Sequence, residues 1–192
     1  MTKIAVFYHC AKMGTYKEVD KEIMQCLKES GIKPNIFIRN ECKDILLYEF
    51  PTIEMLRHFS ITNDYKVLYI HTKGVTRKGK SFDDWRKCMI YWTITRWKEC
   101  VDKLDEVDAV GPCYCEDPVP HFKGNFWWAN ASYIRNLPPP READVPILEG
   151  NGRHKAEFWI LSGQGKHYCP YILGNDPYGY ENPSENYLNK PF

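Results

Sequence analysis

A run of cations and glycines, His71-Thr72-Lys73-Gly74 and then Arg77-Lys78-Gly79-Lys80, stands directly after the apolar stretch Val67-Leu68-Tyr69-Ile70. That stretch is short and rich in strand formers, so it reads as a buried strand. Ser81, with Asp84 three residues on, marks a helix start. A strand that ends in a basic, glycine-containing loop and feeds a helix suits phosphate. The cations attract it, the glycines admit its close approach, and the helix N-terminus offers free N–H groups. Taken literally, Gly74 to Ser81 also fits the phosphate-loop pattern G-x-x-x-x-G-K-[ST], with Lys80 on the terminal phosphates and Ser81 on Mg2+. Three features stand against that match. The strand is third rather than first in the chain, no later strand ends in a clear Mg2+-binding aspartate, and the helical pattern starts at Asp84 rather than at Lys80. An ordinary solvated basic turn is the plain alternative.

Three further groups could carry chemistry. Asp83 and Asp84 are adjacent carboxylates, able to hold a hard cation on a diphosphate or simply to cap a helix. The run HFKGNFWWAN, His121 to Asn130, places Gly124, Asn125, Trp127 and Trp128 together. Rings that stack on a sugar face beside an amide for its hydroxyls would make a sugar pocket; two core tryptophans in a buried strand would look the same. Glu157 stands beside apolar residues, an environment that raises a carboxyl pKa and suits a general base acting on a hydroxyl. It could equally be a structural residue at a helix start. The six histidines have no metal-binding spacing, and Cys113-Tyr-Cys115 has no second pair to complete a zinc site.

The elements that must position these groups follow from periodicity. Lys3 to Tyr8 reads as a strand, Tyr16 to Ser30 as a helix stopped by Gly31, and Asn35 to Ile38 as a second strand. A β-α-β opening with short connections argues for a parallel sheet covered by helices. A helical segment around Glu54 to Phe59 precedes the Val67–Ile70 strand. The longest helix expected is Asp84 to Leu104, with Ile90, Ile94, Trp97, Val101 and Leu104 as its core stripe. Val107 to Gly111 reads as a strand, HFKGNFWWAN as a strand and turn, and Ser132 to Asn136 as a short helix ended by Pro138-Pro139-Pro140. After a polar loop from Arg141 to Gly152, Ala156 to Leu161 is a short helix or strand and Tyr168 to Leu173 a last strand. Beyond Gly174 the pattern is irregular, a tail draped over the body.

A chain of 192 residues suggests one domain able to bury roughly 70% of its unfolded surface. Its net charge of +1 argues against a general nucleic-acid surface, which needs a basic excess. The opening MTKIAVFYHC lacks the pattern of a signal peptide, and no apolar run approaches a membrane span. The expected setting is therefore cytoplasmic, with reduced cysteines.

The order of the pieces resembles a known group. YIHTKG at a strand end, DDWR opening a long helix, VDAVG, HFKGNFWWAN followed by YIRNLP, and R-x-x-AEFWI are similar to the glycosyltransferase-like domains of bacterial and viral polysaccharide synthesis, among them the rhamnan synthesis protein F group. The resemblance covers most of Lys3 to Leu161. It implies an α/β fold, a single GT-A-like (Rossmann-like) domain with a mostly parallel central sheet flanked by helices. Residues 1–110 would form the nucleotide-binding half, 111–173 the sugar and acceptor half, and 174–192 an irregular tail. It implies a nucleotide-diphosphate sugar as donor and a glycan or glycoconjugate as acceptor. Donor-binding residues would be His71, Thr72, Lys73, Arg77, Gly124, Asn125 and Trp127. Glu157 falls near the general base of an inverting enzyme of this fold, with Asp84 as cap or supporting partner. His71, Thr72 and Lys73 occupy the place where such enzymes carry a metal-binding Asp-x-Asp, so the need for Mn2+ or Mg2+ stays open. Lys73 and Arg77 would neutralise the diphosphate in a metal's place. The chain is read either as a whole protein or as one module of a larger synthase. A phosphate-loop phosphotransferase using Gly74 to Ser81 and a non-catalytic carbohydrate-binding module using Trp127 and Trp128 are the competing expectations.

Overall fold

The computed structural model describes residues 2–77, 79–148, 152–174, 178 and 180–192. Its first half alternates strand and helix: β1 (Ile4–Ala11), α1 (Tyr16–Ser30), β2 (Ile36–Cys42), α2 (Phe50–Thr62), β3 (Lys66–His71) and α3 (Lys80–Ile90). There follow a π-helical turn (Tyr91–Thr95), α4 (Trp97–Lys103), β4 (Ala109–Val110), β5 (Tyr114–Cys115), β6 (His121–Phe122), β7 (Trp127–Asn130), α5 (Ala131–Ile134), α6 (His154–Phe158) and β8 (His167–Tyr168).

Six strands form one mixed sheet in the order β2-β1-β3-β7-β4-β8. β1 runs parallel to both β2 and β3, β4 is parallel to β8, and β7 is antiparallel to both of its neighbours. β5 and β6 make a separate antiparallel pair. The apolar runs of β1 and β3 are continuous because both of their faces are covered. Ile4, Val6, Tyr8 and Cys10 join Leu68 and Ile70 in a core closed by Val19, Ile23 and Leu27 of α1 and by Met89 and Ile90 of α3. Ala5, Phe7, Val67 and Tyr69 point the other way, into a core closed by Phe50, Ile53 and Leu56 of α2 and by Ile134 of α5. Helix layers therefore lie on both sides of the sheet.

Several boundaries differ from the sequence reading. The third helix starts at Lys80, not Asp84, behind Gly79 at φ 140°, with no capping side chain; the Ser81–Asp84 capping arrangement does not form. Nor does this helix run unbroken to Leu104. The Thr93 carbonyl takes the Trp128 Nε1–H at 2.7 Å and the Trp92 carbonyl takes the Cys100 thiol. With those acceptors engaged, the backbone widens to the π register and the Arg96 N–H bonds to the Tyr91 carbonyl. The strands expected at Val107–Gly111 and Tyr168–Leu173 shrink to two residues each. The helix expected near Ala156 begins at His154 and tightens into a 3-10 turn at Trp159–Leu161. The loops expected to include Lys78, Glu149, Gly150 and Asn151, and the irregular tail expected beyond Gly174 at residues 175–177 and 179, lie partly outside the described residues. All eight cysteines are unbridged. No helix among the described residues is long and apolar enough to cross a membrane.

Candidate active site

β1 lies between β2 and β3, so the chain leaves it in one direction for β2 and returns on its other side as β3. Open parallel sheets leave a ligand crevice at the carboxyl ends of strands where the order reverses in this way. Here a cleft of about 950 Å3, counted out to its open mouth, lies there. His9 and Ala11 come from β1, Glu49 from the start of α2, His71 to Arg77 from the end of β3 and the loop beyond, and Glu157 from α6. Two loops are clamped together beneath it. The Thr15 N–H donates to the Val75 carbonyl at 3.1 Å. Gly14 sits at φ +50°, and a Cβ there would lie 1.8 Å from the Val75 oxygen, so only glycine admits the contact.

The turn at Gly124–Asn125 organises the floor. The Gly124 N–H donates to Glu157 Oε1, and the Gly124 carbonyl accepts from His71 Nε2 at 2.8 Å. A carbonyl only accepts, so the His71 proton is on Nε2 and Nδ1 keeps its lone pair. The Asn125 amide donates to Glu49 Oε2 at 2.6 Å, and the Tyr69 hydroxyl donates to the same oxygen at 2.9 Å. Glu49 Oε1 is 3.7 Å from His71 Nδ1, too far for a hydrogen bond. Gly124 stands at φ +92°, and a Cβ on it would come within 2.4 Å of Met89 Sδ.

Electrostatics fix the charge states. Burial pushes the Glu157 carboxyl up, but Lys73, the Gly124 N–H, His121 and His71 together outweigh that and hold it below the ordinary value. The raised pKa expected from its apolar neighbours is therefore reversed: the sequence showed Phe158 and Trp159 but not the cation and N–H folded against the carboxylate. Burial pulls His71 down, opposed by Glu49 and assisted by Lys73. Burial also pulls His9 from its ordinary 6.5 down to about 4, with Glu49 opposing and His71 assisting. Both imidazoles are neutral at pH 7.

Lys73 lies with its ammonium 4.3 Å from the centre of the buried Trp85 ring, a cation–π contact. Its carbonyl accepts from Arg86, a buried guanidinium that also pairs with Glu22 and Asp83 at 2.8 Å each. Arg77 lies over the rings of Phe82 and Tyr178.

Of the residues expected at the site, His71, Thr72, Lys73, Arg77 and Glu157 line the cleft. Thr72 is tied to the sheet, its Oγ1 accepting from the Ala11 N–H at 2.9 Å. Gly124 and Asn125 lie behind the lining as the support for Glu157, His71 and Glu49. Trp127 is fully buried, stacked on Tyr69 and donating to Asn125 Oδ1. Trp128 is equally buried, so neither ring is open to a sugar. Asp84 is outside the lining, 4.0 Å from Lys80. Lys80 pairs with Glu181, and neither it nor Ser81 faces the cleft; the phosphate-loop geometry is not formed, and its Lys78 lies outside the described residues. Sequence reasoning passed over His9 and Glu49. His9 carried a usable signal, because the apolar runs of both buried strands are followed by a histidine, Tyr8-His9 and Ile70-His71. Glu49 carried none beyond its place before a helix.

A family model described as "Domain of unknown function (DUF8361)" matches residues 2–181. No curated protein and no solved structure matches the chain.

Proposed function

The chain belongs to this family, and for it we propose glycosyl transfer from a nucleotide-diphosphate sugar to a hydroxyl of a glycan, on a sheet of GT-A type. The observation that carries the reading is the pairing, in one cleft at the strand-order reversal, of cations and an ionised carboxylate: Lys73 and Arg77 on one element, Glu157 on another. Glu157 takes the proton of the acceptor hydroxyl, whose oxygen forms a bond to the anomeric carbon of the donor. The bond from that carbon to the diphosphate breaks, and its electron pair leaves with the diphosphate. Lys73 and Arg77 meet the charge that develops there. A low pKa makes Glu157 a weak base. Lys73 is the largest of the influences lowering it, so a diphosphate that draws on Lys73 raises the basicity of Glu157 when the donor is bound.

At the strand end His71 Nδ1 is the one lone pair left for a divalent cation. The Nε2 of His71 is engaged with the Gly124 carbonyl, Thr72 with β1, and Lys73 is itself a cation. Among the described residues no group of three His, Cys, Asp or Glu side chains is placed to share a metal ion. No step is therefore routed through one.

Thermal unfolding against UDP, GDP, dTDP, CMP and ATP, each with and without Mn2+, tests the reading. A nucleoside diphosphate at a hundred times its Kd stabilises by about 2.7 kcal/mol, a rise of roughly 5–11 °C for a chain of this size. Lys73→Ala should abolish most of that rise. A shift with Mg-ATP alone, lost in Lys80→Ala, would replace the transferase by a phosphotransferase.

A further inference from the structure

One turn holds two carboxylates against the floor of the cleft, and they are not equivalent. Glu157 takes the Gly124 N–H, and Lys73 lies near enough to be its main source of opposing charge. Among the described residues Glu49 takes neutral donors alone, the Tyr69 hydroxyl and the Asn125 amide, both on Oε2. Its other oxygen, Oε1, faces the lone-pair side of a neutral His71 at 3.7 Å and accepts no hydrogen bond from the described residues. Among those residues the cations of the lining other than Lys73 meet partners other than Glu49: Arg77 lies over Phe82 and Tyr178, and Arg153 donates to His154. Glu49 is therefore a negative charge in the cleft with an unused acceptor oxygen. Such a group receives a hydrogen bond from a hydroxyl and repels another carboxylate.

Resting on the glycosyl-transfer reading, we propose that the donor sugar is neutral and polyhydroxylated, that one of its hydroxyls donates to Glu49 Oε1, and that Glu49 excludes uronic acid donors. Glu49 is then the residue that sets donor specificity. Its carboxylate is held in place by Tyr69 and Asn125, so it needs no rearrangement to receive the hydroxyl.

The test uses nucleotide sugars that share a nucleotide and differ in charge on the sugar: UDP-glucose against UDP-glucuronate, and GDP-mannose against GDP-mannuronate. Binding is measured by calorimetry, with UDP and GDP alone as references. For the nucleotide that binds, the neutral sugar should have a Kd at least tenfold lower than the acidic one, about 1.4 kcal/mol. Glu49→Gln, which removes the charge and keeps the shape, should shrink that ratio below threefold. Glu49→Asp, which keeps the charge, should preserve most of it. Unliganded melting curves identify any variant that misfolds. If the acidic sugar binds as tightly as the neutral one, or the ratio survives in Glu49→Gln, the inference fails while binding of the bare diphosphate leaves the transferase reading standing. If no diphosphate and no nucleotide sugar binds, the transferase reading fails and takes this inference with it.

Discussion

Glu157 and Lys73 form the pair on which the proposed chemistry turns, and each makes a measurable prediction. Glu157→Gln keeps the hydrogen bond from Gly124 but cannot take a proton, so transfer should fall by about 10²–10⁴-fold with donor affinity little changed. A single-turnover rate beside a binding measurement separates the two. His9 gives a prediction about stability. Its folded value is about 4 against an ordinary 6.5, so between those values the unfolded chain holds the extra proton. Stability therefore rises with pH through that window, by roughly 3 kcal/mol, and is complete above about 6.5. Glu157 acts in the same direction at lower pH: its folded value is depressed, so its contribution is complete above the unfolded value and is lost as pH falls through the folded one. Urea unfolding at pH 4.5 and 7 should show the loss, and His9→Gln should flatten it. The reversed shift at Glu157 also marks a limit of reading residues in sequence. Its apolar neighbours in the chain are visible there, whereas Lys73 and the Gly124 N–H reach it only through the fold.

Two loops and one turn do the positioning at the level of elements. Gly14→Ala would place a methyl carbon 1.8 Å from the Val75 oxygen at a positive φ. The β1 and β3 loops must then separate, with an expected loss of about 1–3 kcal/mol and weaker diphosphate binding, read from a melting curve and a titration. Gly124→Ala presses on Met89 and Trp85 and displaces the N–H that holds Glu157. It should depress the rate by more than its loss of stability explains. β1, α1 and β3 were legible because each carries a clean period: continuous apolar strands, and α1 with Val19, Ile23 and Leu27 ending at an αL glycine; β2 and α2 run past the short apolar stretches that marked them, to Cys42 and from Phe50 to Thr62. Between Asp84 and Leu104 the apolar stripe continues across the π turn, so periodicity alone could not show the break, where Trp128 reaches in from β7 to the Thr93 carbonyl and the Cys100 thiol donates to the Trp92 carbonyl from within the same stretch.

The whole molecule is closed by its C-terminal segment. Tyr187 is buried against Tyr91, Trp92 and Tyr171 in a small core of its own, and Arg96 donates to the Lys190 carbonyl at 3.1 Å. This anchor lies beyond residue 181, where the family match ends. Tyr187→Ala should cost about 3 kcal/mol, lowering the melting temperature by roughly 6–12 °C. The sheet itself sets the site. With β1 central and β2 and β3 on opposite sides, the ends of β1 and β3 open onto one crevice, and α6, far along the chain, closes it with Glu157.

Composition and periodicity determined the class of fold and the basic strand-end loop, because burial on both faces and the chemistry of a turn are local and leave a mark on neighbouring residues. They also brought His71, Thr72, Lys73, Arg77 and Glu157 forward as residues whose types suit a phosphate and a proton. Only the tertiary structure decided that Trp127 and Trp128 are core, that Lys80 turns away to Glu181, and that Gly124 and Asn125 support the floor rather than line it. It alone brought Glu49 and His9 into the cleft. The reason is physical: a side chain's burial and charge state are set by whatever packs against it, and at this site those partners lie tens of residues away in the chain.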